Sequence, residues 1–314
     1  MTFSNDINKE LSQLKISNKI EALLELSSIL KTNASISIRN AFININFSTE
    51  SEYVVKRINN LIKYIYDYEA NISIVKNDNI MKEGLYNLTI EDEDIANRII
   101  NDSGFDYFGN YQSSLSTLFS RIKSVHNGTS AFLRGAYLGS GTMVDPKKSY
   151  LLELVFTKKE DVDLLNMVLE EENILPLYKE RKDKKIVYFK NSEYISDFLN
   201  TIKANKALLA LENVKVEKDL RNNINRKMNF DMANLNKTIQ TAMKQIQYIE
   251  ILENEKALPE DLKELAYIRK DNPELSIKEL GELMNPPLKK SSVAYKMNKL
   301  KNLAKKFDKW VLTC

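Results

Sequence analysis

Half of the glycines in this sequence crowd into one short stretch. Gly128, Gly135, Gly139 and Gly141 are four of only eight in 314 residues. A glycine inside a helix costs ~1 kcal/mol relative to alanine. Yet Leu133-Arg134-Gly135-Ala136-Tyr137-Leu138-Gly139-Ser140-Gly141 reads as a helix. Gly135 and Gly139 are four apart and share one helix face. A face without side chains lets another helix approach closely. The sequence offers one partner, Leu26-Ser27-Ser28-Ile29-Leu30-Lys31-Thr32-Asn33-Ala34, in which Ser27, Ser28 and Ala34 are also small.

Both helices head the same succession of elements. Lys19–Thr32 places Ile20, Leu23, Leu24, Leu26, Ile29 and Leu30 at helical spacing. Ile36, Ile38, Ile43, Ile45 and Phe47 alternate as in strands. A helix at Ser51–Tyr66, strands at Asn71–Lys76 and Tyr86–Ile90, and a helix at Asp92–Asn101 follow. The second run has a helix at Thr129–Gly139, a strand at Ser149–Phe156 and a helix at Glu160–Asn173. A hairpin of Leu177–Arg181 and Ile186–Lys190 around Lys182-Asp183-Lys184 comes next, then a helix at Ser192–Ile202. Laying Asn33 on Ser140, an offset of 107, makes most elements coincide. The expected fold is α+β: a doubled α/β domain over residues 1–210, with halves at about 1–110 and 120–210.

A polar stretch at 211–224 reads as a linker, and residues 225–314 as an all-α domain. Its long first helix is expected from Asn225 to about Asn254. Pro259 opens a helix whose apolar side is Leu262, Leu265, Ala266 and Ile268, and Asn272-Pro273 stops it. Ser276-Ile277-Lys278-Glu279 has the form of a capping box, opening a short helix that buries Ile277, Leu280 and Leu283. Asn285-Pro286-Pro287 breaks that helix, and Ser291 is placed to cap the last one. Val293, Met297, Leu300, Ala304 and Phe307 then form an apolar stripe. This order is that of a helix-turn-helix over about 274–308.

Charge follows the same division. Residues 218–314 carry 19 Lys+Arg against 13 Asp+Glu, while the rest of the chain is net −3. Lys289–Lys309 alone holds eight lysines and one acid, Asp308. Composition alone leaves a solvated helix face and a polyanion site equally open. The helix-turn-helix order favours double-stranded DNA. The reading helix would present Lys289, Lys290, Ser291 and Ser292 at its amino end, where amides and lysines attract phosphate. Tyr295, Lys296, Asn298 and Lys299 continue the exposed face.

Several chemistries are ruled out by count. One histidine, His126, and one cysteine, Cys314, supply neither a Cys/His zinc site nor a disulfide. His126 stands in a loop-like stretch with no nucleophile or carboxylate spaced beside it, and reads as a surface residue. Trp310 reads as packing of the carboxyl-terminal tail. Neither a Walker A nor a GxGxxG sequence is present. No apolar run approaches ~18 residues, and Met1-Thr2-Phe3-Ser4-Asn5-Asp6 has neither the basic nor the apolar region of a signal peptide, so a cytoplasmic protein without membrane contact is expected.

The paired small-residue helices resemble degenerate LAGLIDADG motifs of homing endonucleases. In that family two such helices pack at a pseudo-twofold axis, and each ends in an acid that holds the catalytic metal. The matching positions here are Asn33 and Ser140, neither a carboxylate. A hard cation needs anionic oxygen ligands. The resemblance therefore implies a fold without the chemistry: no catalytic residue, no metal and no cofactor. Phe132–Tyr150, with Arg134-Gly135-Ala136 and the Asp145-Pro146 pair, is more specifically similar to the WhiA family of bacterial regulators. Phe3-Ser4 with Lys9-Glu10-Leu11 also fits, as does Asn225-Arg226, Asn229, Ala233-Asn234 and Lys237. The family's K-S-G-x-x-H-R-x-x-K run is matched by Lys290, Ser291 and Lys299, with Ser292, Tyr295 and Lys296 in the Gly, His and Arg positions. Lysine for arginine gives up bidentate base reading.

The resemblance implies a nucleoid-associated transcriptional regulator tied to cell division and chromosome segregation. Its DNA contacts would include Arg226 and Lys237, and its partners another regulator or a division-linked protein. Two other readings stand beside it: a residual metal-dependent endonuclease using Asp145, and a scaffold whose front domain binds a protein or small ligand.

Overall fold

The computed structural model describes residues 2–39, 42–75, 84–105, 110 and 112–307. They form two compact units, Met1–Glu217 and Lys218–Cys314. Trp310 and Cys314 lie outside the described residues.

In the first unit α1 (Phe3–Ser12) and α2 (Lys19–Asn33) lead into an antiparallel sheet. Its strands β1 (Ala34–Arg39), β2 (Phe42–Thr49), β3 (Asn71–Val75) and β4 (Leu85–Ile90) lie in the order β1-β2-β4-β3. Helix α3 (Glu52–Tyr66) joins β2 to β3, and α4 (Glu93–Ser103) follows β4. Alternation along β2 sets its faces: Ile43, Ile45 and Phe47 are buried, and Asn44, Asn46 and Ser48 point the other way. Asn18 starts α2, its side-chain oxygen accepting the Ile20 and Glu21 amides at 3.0 and 2.9 Å.

The second half repeats this plan. After α5 (Leu115–Ser124) come α6 (Gly128–Ser140), β5 (Gly141–Met143), β6 (Leu152–Phe156) and α7 (Lys159–Glu171). Strands β7 (Leu177–Arg181) and β8 (Lys184–Phe189) and helix α8 (Ser192–Thr201) complete it. The sheet order β5-β6-β8-β7 matches that of the first half. The offset is 107 at the ends of α2 and α6 and at the starts of α3 and α7. It falls to 99 at the starts of β4 and β8. Nine residues join β3 to β4, but only Lys182 and Asp183 join β7 to β8, with Lys182 at a φ of 54°.

Helices α2 and α6 form the seam, and the glycines are what allow it. A Cβ on Gly135 would run into the Glu25 carbonyl and come within 2.8 Å of the Ser28 Cβ. One on Gly139 would overlap the Thr32 hydroxyl and approach the Ile29 Cα to 3.4 Å. Ser28 is thus the small residue of α2 that meets a glycine. Leu26, Ile29, Leu133 and Tyr137 extend the buried core on either side.

Three features differ from expectation in this unit. The strand expected from Ser149 starts at Leu152, because Asp145 to Ser149 form a turn closed by the Lys148 and Ser149 amides on the Asp145 carbonyl. Helices α1 and α5 carry weak apolar signals: only Ile7 and Leu11 of α1 and Ile122 of α5 are buried. The third is the linker. Residues 211–224 are helical, part of α9, which runs unbroken from Asn205 to Asn254. That span contains neither glycine nor proline, and its polar composition is that of a solvated helix.

The second unit packs the end of α9 with α10 (Glu260–Asp271), α11 (Ile277–Glu282) and α12 (Lys290–Phe307). Ile249, Leu252, Leu262, Leu265, Leu280, Val293, Met297 and Leu300 form its core. The capping box at α11 is complete: the Ser276 hydroxyl accepts the Glu279 amide, and the Glu279 carboxylate accepts the Ser276 amide. Pro259 stands at the N-cap of α10, one residue before its first turn. α11 is only six residues long, so Met284 rather than Leu283 reaches the core, and Leu283 is 53% exposed. Phe307, 46% exposed, lies beyond the stripe that ends at Ala304.

Candidate nucleic-acid interface

α12 is held from beneath by Val293, Met297, Leu300 and Ala304, all buried. What it leaves outward follows from helical geometry. Lys289, Lys290, Ser291 and Ser292 are exposed at its start, and Tyr295 and Asn298 follow one turn apart. Tyr295 is 73% exposed. α12 begins at Lys290, with the Ser292 and Val293 amides donating to the Lys289 carbonyl. Ser291 therefore lies inside the first turn and is not its cap. Tyr295, Asn298, Lys299 and Asn302 line a shallow groove with Leu303 and Lys306.

Two of the lysines expected at this face are already engaged. The Lys296 ammonium donates to the Asp261 carbonyl at 2.8 Å, and that of Lys299 to Asp261 Oδ2 at 2.8 Å. The Lys299 hydrogen bond, with the charges of Lys299 and Lys296, holds the Asp261 carboxyl below the usual carboxylate range. Asp261 lies in the first turn of α10, so this acid braces α12 against α10. Arg226 and Lys237 are exposed on α9, and neither bonds to α12.

The scaffold beneath this face is set by a residue without a sequence signal. Arg269, 1% exposed, donates from Nη1 to the Leu275 carbonyl at 2.8 Å and to that of Asn272 at 3.3 Å. It thereby fixes the bend between α10 and α11.

In the first unit, Asn33 and Ser140 end the two seam helices. Asn33 Nδ2 donates to the Ser48 carbonyl at 2.9 Å and, across the seam, to the Gly139 carbonyl at 3.1 Å. The Ser140 hydroxyl donates to the Ala136 carbonyl at 3.2 Å and accepts the Val155 amide at 3.2 Å. Asn33 Nδ2 and the Ser140 hydroxyl are committed to backbone groups. The buried Asn33 Oδ1, which has no hydrogen-bond partner among the described residues, is a neutral oxygen, so this pair without a carboxylate does not fit a divalent cation. Asp145 is taken up by its turn, Oδ1 accepting the Lys147 amide at 2.9 Å. His126 is exposed in the turn before α6.

Three family descriptions match the chain. A WhiA N-terminal LAGLIDADG-like domain covers residues 19–106, a WhiA LAGLIDADG-like domain 129–221, and a WhiA C-terminal HTH domain 224–304. The probable cell division protein WhiA of Clostridium tetani (strain Massachusetts / E88) is 33% identical over 321 residues, covering 98% of this chain and 99% of the relative. This chain belongs to the WhiA family. A Clostridium botulinum WhiA (strain Hall / ATCC 3502 / NCTC 13319 / Type A) is 32% identical over 310 residues, covering 97% and 98%. Among solved structures, full-length WhiA from Thermatoga maritima is similar at a TM-score of 0.60 and 26% identity, covering 98% of this chain and 99% of that one. The two LAGLIDADG-like halves and the helical HTH of the WhiA family are thus the architecture seen here.

Asp261 and Arg269, on α10 of the WhiA C-terminal HTH domain, are the residues that sequence reading missed. Asp261 acts at a separation of 38 residues from Lys299, beyond the reach of any local pattern. Arg269 looks like one more exposed helix charge until its burial is known.

Among the described residues, no helix is long and apolar enough to cross a membrane.

Proposed function

We propose that this WhiA-family chain is a non-enzymatic regulator that binds double-stranded DNA through α12. The observation that carries this reading is the exposed amino end of α12: Lys289, Lys290, Ser291 and Ser292 stand clear of the core, with Tyr295 and Asn298 one turn further on. That is the end a helix-turn-helix inserts into the major groove, where lysines and free amides take phosphate and the next turn reaches base edges. The relatives' name, probable cell division protein, supports a role in cell division. Within that role we infer transcriptional control linked to chromosome segregation, acting in the cytoplasm at the nucleoid. Arg226 and Lys237, exposed on α9, are assigned to additional phosphate contacts. The first unit is assigned to a protein partner, another regulator or a division-linked protein. The neutral, backbone-bound Asn33 and Ser140 support the absence of a nuclease reaction.

The test is duplex binding by fluorescence anisotropy across a salt series. Affinity should fall steeply with salt, and Lys290→Ala should reduce the slope by about one charge. Binding that ignores salt, or a Lys290→Ala protein with an unchanged slope, would count against the reading.

A further inference from the structure

The seam between the two halves holds a charge cluster that DNA binding does not use. Glu25 on α2 is 1% exposed. It accepts from Arg57 Nε at 2.7 Å and Nη2 at 3.0 Å and from Arg134 Nε at 2.9 Å, and Arg134 Nη2 lies 2.8 Å from its Oε2 as an ion pair. Arg57 Nη1 also donates to the Leu14 carbonyl, and Arg134 Nη1 to the Ser130 hydroxyl at 3.4 Å. A guanidinium has five N–H groups. Hydrogen bonds use three on Arg57 and two on Arg134. The remainder sit on side chains only 3% and 8% exposed, where a donor without an acceptor is costly.

Both arginines form the wall of a small pocket of about 70 Å³, together with Lys15, Glu21, Glu25 and Lys203. The two acids are already engaged. Glu25 serves both arginines, and Glu21 accepts the side-chain amides of Asn18 at 2.8 Å and Asn127 at 3.3 Å. Lys15 and Lys203 are exposed at the rim and take part in no ion pair among the described residues. Four cations against two acids leave the lining at +2.

We propose that this pocket binds a small, doubly charged oxyanion of the phosphate class. Its oxygens take the spare guanidinium N–H groups of Arg57 and Arg134, and Lys15 and Lys203 close over it. Guanidiniums suit this task because their planar forks match tetrahedral oxyanions. At about 70 Å³ the pocket has room for one phosphoryl group. Free phosphate and the phosphoryl end of a larger molecule share this chemistry.

The test titrates the full chain with inorganic phosphate, and separately with adenosine monophosphate, against chloride at matched ionic strength. Calorimetry and thermal melting are the readouts. The expected result is saturable binding of at least one, with a melting midpoint raised above the chloride control. Lys15→Ala combined with Lys203→Ala, two rim changes that spare the fold, should weaken binding about tenfold or more. Tighter binding of phosphate identifies the free ion as the ligand; tighter binding of the nucleotide identifies a phosphoryl end. No saturable binding of either, or undiminished binding by the double variant, overturns the proposal.

Discussion

Asp261 takes Lys299 on its carboxylate and Lys296 on its carbonyl, each at 2.8 Å. One acid on α10 therefore restrains two of the lysines nearest the proposed DNA face. DNA must compete with Asp261 for both, which favours sites where the rest of α12 fits well.

Asp261→Asn should raise affinity for random duplex more than for a preferred site. The slope of log K against log salt should steepen by about one charge, since the substitution removes the carboxylate that holds Lys299 and leaves the carbonyl that holds Lys296. The carboxyl's pKa is lowered in the folded protein, so its contribution is present above the unfolded value and lost only as pH falls through the folded one. From about pH 8 to about pH 5 the effect of the substitution should therefore stay constant, since carboxylates of this kind remain ionised there. A variant with unaltered random-duplex affinity would show that the restraint is immaterial.

Tyr295 is the most exposed large hydrophobic side chain among the described residues of α12. Tyr295→Ala should lower the ratio of preferred to random binding about tenfold, ~1.4 kcal/mol, while leaving the salt slope in place. Competition binding with scrambled duplexes measures this. A uniform loss across all sequences would instead mark Tyr295 as a backbone contact.

Gly139→Ala should destabilise the first unit by about 1–3 kcal/mol, because the new methyl overlaps Thr32 in a packed seam. Urea unfolding would report it as a lower midpoint with an unchanged slope. A neutral result would mean that α2 and α6 can slide apart without cost.

Asn33→Asp replaces a donor with an acceptor-only group facing the Ser48 and Gly139 carbonyls. A loss of about 1–3 kcal/mol is expected in the same urea assay. Supercoiled plasmid incubated with Mg²⁺ should stay intact with both the parent and the variant. Cleavage by the parent would refute the non-enzymatic reading.

How much of this was legible depended on the range of each interaction. The capping box needs only Ser276 and Glu279, three residues apart, and is complete as read. Gly135 and Gly139 revealed a helix pair, since glycine in a helix has few other uses, and the duplicated order followed. Ser28 was legible as a partner; Thr32, which meets Gly139 most closely, was not, because a β-branched residue does not advertise close approach. The helical state of the 211–224 stretch, within which the two units divide, was hidden for a different reason. Polar residues without glycine or proline suit a solvated helix as well as a loop, and α9 is the former. The Asp261 and Arg269 contacts depend on how helices meet, which no local spacing encodes.

Glu25 makes the two halves electrostatically dependent on one another. Arg57 comes from the first half and Arg134 from the second, and one carboxylate serves both. Cutting the chain between the halves would strand Arg134 without its acid, and a lone buried charge costs several kcal/mol. A single copy of such a half would have to balance its charges another way, by pairing with an identical chain or by carrying one arginine fewer. A change at any of these three positions therefore bears on the charge balance of both halves.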